Sequence, residues 1–218
     1  LIRPEHIHQL VIPNLPADFP PLKTLDIYRH NLPAQTTSFI GREKEMTEIK
    51  QALEKYRLVT LTGSGGTGKT RLSLQVAADL VDQYPDGVWF IELAPLTDPA
   101  LIPQTLLSVL GISEQQGKSA LQSLTDHVHD KKILFILDNC EHLIEACAKV
   151  ADSLLSDSQA LKILASSREA LGVKGEMAWH VPSLSMPDMK QLPTIEQLSQ
   201  YEAVRLFIER ASLAQQHF

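Results

Sequence analysis

Short apolar runs alternate with longer segments of helical spacing through most of the chain. The apolar runs are RLVTLT at 57–62, GVWFIELA at 87–94, KILFILD at 132–138, LKILASS at 161–167 and, more weakly, MAWHVP at 177–182. Helical spacing is found in REKEMTEIKQAL at 42–53 and at 69–82, 99–110, 118–130 and 141–156. Strands that are apolar throughout suit burial on both faces, and intervening helices suit parallel crossovers. The pattern predicts an α/β fold, a doubly wound parallel sheet flanked by helices.

The pattern changes towards both ends of the chain. Prolines are frequent between 12 and 33, and they disfavour helices and central strands. After Pro187 only helical spacing remains. We therefore expect an extended linker at 1–32, one α/β domain at 33–183 and the beginning of an all-helical subdomain at 184–218. Because the sequence stops inside an amphipathic pattern, we expect it to be a piece of a longer protein.

Composition and charge narrow the function classes. Apolar residues at 44% and charged residues at 21% are ordinary for a globular domain. A formal charge of −6 offers no basic face, so we expect no direct nucleic-acid partner. The sequence has no run of 18 apolar residues and no leader pattern, so we expect no membrane partner and a cytoplasmic location. Cys140 and Cys147 are predicted to lie on one helix, roughly 10 Å apart at ~1.5 Å per residue, as buried reduced thiols.

Four glycines fall within eight positions in GSGGTGKT, residues 63–70, between a predicted strand and a predicted helix. The stretch fits the G-x-x-x-x-G-K-[ST] pattern, in which backbone N–H groups and a helix N-terminus converge on phosphate oxygens. The alternative is a glycine-rich turn that only caps a helix. We expect Lys69 to reach the β and γ phosphates and Thr70 to ligate Mg²⁺. The predicted nucleotide-binding residues here are Gly63, Gly65, Gly66, Thr67, Gly68, Lys69, Thr70 and Arg71.

An acidic residue at the end of a buried strand would complete such a site. Asp138 ends five consecutive apolar residues and is predicted to hold Mg²⁺ together with Thr70, the alternative being a turn former. Many such ATPases carry a second acidic residue next, but this chain has Asn139, which cannot accept a proton from water. Glu141 is the nearest carboxylate that could polarise an attacking water, although a first-turn charge that complements the helix dipole is an equal alternative. We therefore expect slow hydrolysis.

An arginine follows the next apolar run, within SSRE at 166–169. Arg168 could touch the γ-phosphate and so distinguish ATP from ADP, the alternative being a surface salt bridge. The predicted catalytic residues are Lys69, Asp138, Glu141 and Arg168. The histidines occur two apart at 6 and 8 and at 127 and 129, which directs them to different helix faces and predicts no histidine metal site.

Four blocks in this order carry a family resemblance: SFIGRE at 38–43, GSGGTGKT at 63–70, ILFILDNCEH at 133–142 and ILASSREALGVKGE at 163–176. They resemble the P-loop NTPase domain of the signal-transduction ATPases with numerous domains (STAND), in particular the bacterial NB-ARC type of transcriptional and cyclase-linked regulators. The resemblance spans roughly 33–214. It implies that Arg42 lies near the nucleotide, that Arg168 senses the γ-phosphate, and that the Arg168 strand lies between the Asp138 strand and the phosphate-loop strand.

The N-terminal segment carries a second resemblance. Residues 3–26 are similar to the segment that follows a class III adenylate or guanylate cyclase domain in multidomain bacterial proteins. That similarity implies that residues 1–10 are the last strand of an upstream catalytic domain. The alternative is a simple extended linker.

The STAND resemblance implies a regulatory switch that is closed with ADP and open, often self-associated, with ATP. Its cofactors would be ATP or ADP and Mg²⁺, and its partners would be covalently linked sensor and output domains. Slow ATP hydrolysis would reset it, and Asn139 and the missing downstream modules put fast hydrolysis and a locked ADP state in doubt. The alternatives are a P-loop kinase, although an arginine-rich lid is not visible, and an inert scaffold that keeps nucleotide only for structure.

Overall fold

A five-stranded parallel sheet lies at the centre of the fold. The computed structural model describes residues 29–188 and 194–214. The strands are β1 (Leu58–Thr62), β2 (Val88–Glu92), β3 (Leu134–Asp138), β4 (Lys162–Ser167) and β5 (Glu176–His180). They follow the order β2-β3-β4-β1-β5, and all neighbours are parallel. This confirms the predicted α/β fold and the position of β4 between β3 and β1.

Helices connect the strands and cover the sheet. They are α1 (Glu43–Lys55), α2 (Lys69–Leu80), α3 (Ile102–Leu110), α4 (Ala120–Val128), α5 (Ile144–Asp157), α6 (Ile195–Leu198) and α7 (Glu202–Ala214). Short 3₁₀ turns lie at Val81–Gln83, Pro99–Leu101 and Cys140–His142. Two helices after the sheet confirm the helical spacing predicted beyond Pro187, while the domain boundaries themselves stay predictions. Across the described ranges, none of the helices combines the length and apolarity needed to cross a bilayer.

Alternate residues of the central strands point to opposite faces of the sheet. Phe135 and Leu137 pack with α3, α4 and α5 in one apolar layer, and Leu134 and Ile136 pack with α1 and α2 in the other. All four side chains are at most 1% exposed. The continuously apolar runs are therefore explained by burial on both faces.

Local capping sets helix boundaries that periodicity alone misplaces. Ser119 accepts a hydrogen bond from the Gln122 N–H, and the Gln122 side chain accepts one from the Ser119 N–H, so α4 begins at Ala120 rather than at 118. α5 begins at Ile144 rather than at 141, because the chain first forms the 3₁₀ turn and then leaves helical geometry at Leu143, where φ is −131°.

This break changes the placement of the two cysteines. The prediction that they lie on one helix is wrong, because Cys140 lies in the 3₁₀ turn and Cys147 in α5. The bend brings the two side chains within hydrogen-bonding distance of each other, and both thiols are free and fully buried. The hydrogen bond with Cys147 and burial both raise the pKa of the Cys140 thiol well above its usual value.

A segment before α1 covers the outer edge of the sheet. His30 forms a parallel bridge with Val88. The Asn31 side chain accepts a hydrogen bond from the Phe90 N–H at 2.6 Å and donates one to the Phe90 carbonyl at 2.8 Å. These contacts pair backbone groups that an edge strand would otherwise leave open. The predictions made for 1–28, including the cyclase-like segment, lie outside the described residues.

The buried thiols give a direct test of this packing. In the native chain, Ellman's reagent should modify Cys140 and Cys147 at least about 100-fold more slowly than in denaturing urea, because both thiols are buried away from the reagent and the raised pKa of Cys140 also disfavours its thiolate. Absorbance of the released thiolate measures the two rates. Equal rates in native buffer and in urea would contradict the placement of both cysteines in the core.

Candidate functional site

The glycine-rich loop joins β1 to α2 at the carboxyl end of the sheet. Gly68 immediately precedes α2 and has φ of 85° and ψ of 23°, a left-handed conformation that side chains with a Cβ disfavour. A Cβ built at Gly68 would meet no atom within 4 Å. Glycine is therefore required there by backbone conformation, and the space in front of the helix N-terminus stays open to an anion.

The Lys69 ammonium lies beside the start of this loop. Its Nζ donates hydrogen bonds to the carbonyl oxygens of Gly63 and Ser64, both at 2.9 Å. An ammonium group has three donors and can exchange carbonyl partners for phosphate oxygens without moving its backbone. The side chain is therefore placed where the loop pattern requires a cation.

A buried carboxylate connects the loop helix to the neighbouring strands. The Thr70 hydroxyl donates to Asp138 Oδ1 at 2.7 Å, and the Ser166 hydroxyl donates to the same oxygen. Ser166 also accepts a hydrogen bond from the Asn139 N–H at 3.0 Å. Asp138 is only 6% exposed, so these hydrogen bonds offset the cost of burying its charge. The two predicted metal ligands, Thr70 and Asp138, are thus in direct contact.

Asn139 turns the chain out of β3. Its φ of 65° and ψ of 52° are left-handed, a conformation that asparagine tolerates better than most residues. The turn leads into the 3₁₀ segment and brings Glu141 to the same side as the phosphate loop. Asn139 therefore has a conformational role at the position where many such ATPases carry a second acidic residue.

Glu141 and Arg168 form an ion pair at the mouth of the site. Arg168 Nε lies 3.4 Å from Glu141 Oε1, and the two side chains are 70% and 20% exposed, respectively. Glu141 Oε2 is buried and has no hydrogen-bond partner among the described residues. The salt bridge predicted as the alternative for Arg168 is thus present, and its contact with a γ-phosphate stays a prediction.

Two adjoining clefts surround the phosphate loop and share Gly65, Gly66, Gly68 and Arg71 among their lining residues. One, of about 310 Å³, contains Lys69, Thr70, Asn139, Glu141 and Ser166. The other, of about 430 Å³, has apolar side chains in its wall. These apolar residues are Phe39, Ile40, Leu184, Met186, Ala203 and Leu206. A ligand with a charged tail and a flat apolar head would fit the pair of clefts.

The predicted binding residues Arg42 and Arg71 form the wall of the larger cleft. Arg42 is 5% exposed and donates from Nη2 to the carbonyl oxygens of Thr67 and Pro182 at 2.8 and 2.9 Å. Arg71 donates to Gln35 Oε1 and to the Thr37 carbonyl, which ties the segment before α1 to α2. Both arginines therefore hold the cleft together, and their contact with a nucleotide stays a prediction.

The donor set suits a hard cation and a polyphosphate. Mg²⁺ prefers oxygen ligands, keeps several waters and needs only one or two protein groups. Thr70 Oγ1 and Asp138 Oδ1 supply two such oxygens at 2.7 Å from each other. When bound, Mg²⁺ would neutralise charge on the phosphates. The loop amides and Lys69 would hold the phosphates themselves.

Sequence comparison assigns this arrangement to a family. The AAA domain family matches residues 52–172, more than half of the chain, from the end of α1 to just beyond β4. The chain belongs to the AAA domain family. Family membership implies nucleotide binding, typically with Mg²⁺. It also agrees with the P-loop NTPase fold of the five-stranded sheet.

Relatives are longer than this chain. An uncharacterized protein of Mycobacterium tuberculosis, Rv0894, is 38% identical over 190 residues, covering 87% of this chain and 45% of that protein. Rv0890c, provisionally named as an HTH-type transcriptional regulator of the same organism, is 41% identical over 170 residues, covering 78% of this chain and 18% of that protein. The chain spans less than half the length of either relative.

Among solved structures, a STAND protein with a tetratricopeptide repeat sensor from Pyrococcus horikoshii superposes on 68% of this chain and 24% of its own chain. The TM-score is 0.49 and the sequence identity 18%. A likeness at this level carries no functional argument.

Sequence reasoning missed Ser166 as a member of the site. β3 and β4 are neighbours, and the register that pairs Leu137 with Ala165 puts Asp138 level with Ser166. The strand order implied by the family resemblance places the ends of β3 and β4 side by side, and the register then brings Ser166 to Asp138. The apolar wall of the larger cleft was also missed, although Phe39 and Ile40 lie within the SFIGRE block that carries the resemblance.

The left-handed conformation of Asn139 can be tested by substitution. Asn139→Val should lower the free energy of unfolding by about 1–2 kcal/mol, because a β-branched side chain is strained at positive φ. Asn139→Gly, which accepts this conformation, should stay within about 0.5 kcal/mol of the parent chain. Urea unfolding followed by far-UV circular dichroism measures both. A valine variant as stable as the glycine variant would contradict the turn described here.

Proposed function

We propose that this chain is an ATP/ADP-binding switch domain that hydrolyses ATP slowly with Mg²⁺ and thereby controls a neighbouring domain of a multidomain bacterial regulator. The observation that carries the proposal is the 2.7 Å contact between Thr70 and Asp138. It joins the phosphate loop to the acidic end of β3, and these are the two halves that a magnesium nucleotide site needs.

The smaller cleft, which would hold the phosphates, supports slow ATP hydrolysis. Glu141 lines the same cleft as Lys69 and Thr70, so its carboxylate could accept a proton from an attacking water. The same carboxylate is paired with Arg168, whose Nε lies 3.4 Å from Glu141 Oε1. Asn139 offers no second base. A single carboxylate that is paired with an arginine is more consistent with slow ATP hydrolysis than with rapid turnover.

The larger cleft, which would hold the nucleobase, supports a regulatory role. The larger cleft is lined by residues before α1, by Ser183 and Leu184 after β5, and by Ala203 and Leu206 of α7. A nucleotide in this cleft would touch the sheet domain and the helical segment together. Different contacts with ATP and ADP would then favour different positions of that segment. The naming of Rv0890c as a transcriptional regulator and the greater length of both relatives agree with a module that controls linked domains.

Substitution of the loop lysine tests nucleotide binding. Lys69→Ala should weaken the binding of both ATP and ADP at least about 100-fold, because the ammonium is the charged partner of the phosphates. Isothermal titration calorimetry with each nucleotide measures this. The control is Lys44→Ala, which removes the same charge from a side chain that is 85% exposed on α1. Unchanged affinity in the Lys69 variant would refute the assignment.

The role of Glu141 is tested by separating binding from turnover. Glu141→Gln should reduce phosphate release from Mg-ATP at least about 100-fold and leave ATP affinity within about threefold, because the amide cannot take up a proton. Glu145→Gln, an exposed carboxylate at the start of α5, is the matched control. Phosphate release in the Glu141 variant equal to that of the control would exclude Glu141 as the base for hydrolysis.

A further inference from the structure

Glu202, the first residue of α7, holds two segments of the cleft wall together. Its Oε1 accepts a hydrogen bond from the Arg42 N–H at 2.7 Å, across 160 positions of sequence. Its Oε2 accepts from the N–H and the hydroxyl of Ser185 at 3.1 and 3.2 Å. The Ser185 hydroxyl also accepts from the Glu202 N–H at 3.0 Å. Both carboxylate oxygens are thus engaged, each by a different segment.

The carboxylate approaches the backbone at Gly41 very closely. A Cβ built at Gly41 would lie 2.3 Å from Glu202 Oε1 and 2.7 Å from its Cδ. The backbone there has φ of 70°, which also favours glycine. The left-handed pair Gly41 and Arg42 is therefore shaped to present one N–H group to Glu202.

The contact continues from Arg42 to the phosphate loop. The backbone of Arg42 binds Glu202, and its guanidinium donates to the Thr67 carbonyl at 2.8 Å. Thr67 lies between Gly66 and Gly68, so this carbonyl belongs to the loop that would hold the phosphates. α7 also reaches the same wall through Arg210, which donates to the Ser38 carbonyl at 3.1 Å.

The charge state of Glu202 suits this role. Burial raises the pKa of its carboxyl, but the hydrogen bonds from Ser185 and Arg42 and the charge of Arg42 outweigh burial and lower the pKa overall. The group is therefore ionised near neutral pH, and hydrogen bonds to an ionised acceptor are stronger than those to a neutral one.

We propose that Glu202 is a positioning residue that couples α7 to the phosphate loop through Arg42, so that the affinity of the loop for nucleotide depends on whether α7 is docked. The consequence for affinity rests on the proposed nucleotide binding, whereas the mechanical coupling does not. Release of Glu202 frees the Arg42 backbone, loosens the Thr67 carbonyl and disorders the amides that face the phosphates.

Hydrogen–deuterium exchange of the ligand-free chain tests the coupling. Glu202→Ala should raise amide exchange about tenfold in 38–42 and in 64–68, and leave the amides of β3 unchanged. The same variant should bind ADP about tenfold more weakly by calorimetry. Glu202→Gln keeps one carbonyl oxygen, which can accept hydrogen bonds from the Arg42 segment or from the Ser185 segment but not from both. This variant should therefore have intermediate effects on amide exchange and on ADP affinity. Glu48→Gln on α1 is the control and should change neither.

Amide exchange and ADP affinity together distinguish a failure of the Glu202 coupling from a failure of the proposed nucleotide binding. If the parent chain binds no ADP, the proposed function fails, and exchange alone decides the coupling. If Glu202→Ala raises exchange in 38–42 but not in 64–68, or leaves ADP affinity within twofold of a binding-competent parent, the coupling is overturned. Should β3 also lose protection in Glu202→Ala, Ser185→Ala supplies the test, because it removes only the hydroxyl contacts of Glu202. It should raise exchange in the same two segments about threefold, and no rise would overturn the proposal.

Discussion

The Asp138 carboxylate is buried at the end of β3, and Thr70 and Ser166 donate hydrogen bonds to one of its oxygens. A buried charge without such partners would cost several kcal/mol, on the order of the penalties known for unpaired buried ions. The two hydroxyls therefore have to come from elements that lie close to β3. This requirement fixes α2 and β4 against one strand end, and with them the phosphate loop and the cation site.

Much of this arrangement could be predicted from the sequence because it depends on local patterns. The apolar runs predict the strands, and GSGGTGKT predicts the loop and the start of α2. The side-chain contacts across the site are harder to predict from the sequence, because they depend on a few backbone dihedral angles. Asn139 at φ 65° turns the chain out of β3, and Leu143 at φ −131° breaks what periodicity presents as one helix from 141 to 156. The break moves Glu141 towards Arg168 and brings Cys140 to Cys147.

The larger cleft is built from parts far apart in sequence. Its wall combines residues 38–42, the segment after β5 and α7, and hydrogen bonds of Arg42, Glu202 and Arg210 join them. No local pattern signals such contacts, because each partner taken alone is an ordinary polar residue. Through Arg42 the helical segment is linked to the phosphate loop, and the proposed coupling rests on this link.

The central claim is that the loop amides, Lys69, Thr70 and Asp138 together hold a magnesium nucleotide. A crystal structure of the chain grown with Mg²⁺ and a non-hydrolysable ATP analogue tests it most directly. The account predicts phosphates within hydrogen-bonding distance of the 65–69 amides, Lys69 Nζ moved from the Gly63 and Ser64 carbonyls to phosphate oxygens, and Mg²⁺ beside Thr70 and Asp138. An analogue bound elsewhere, or Lys69 still bonded to both carbonyls beside an ordered triphosphate, would contradict it.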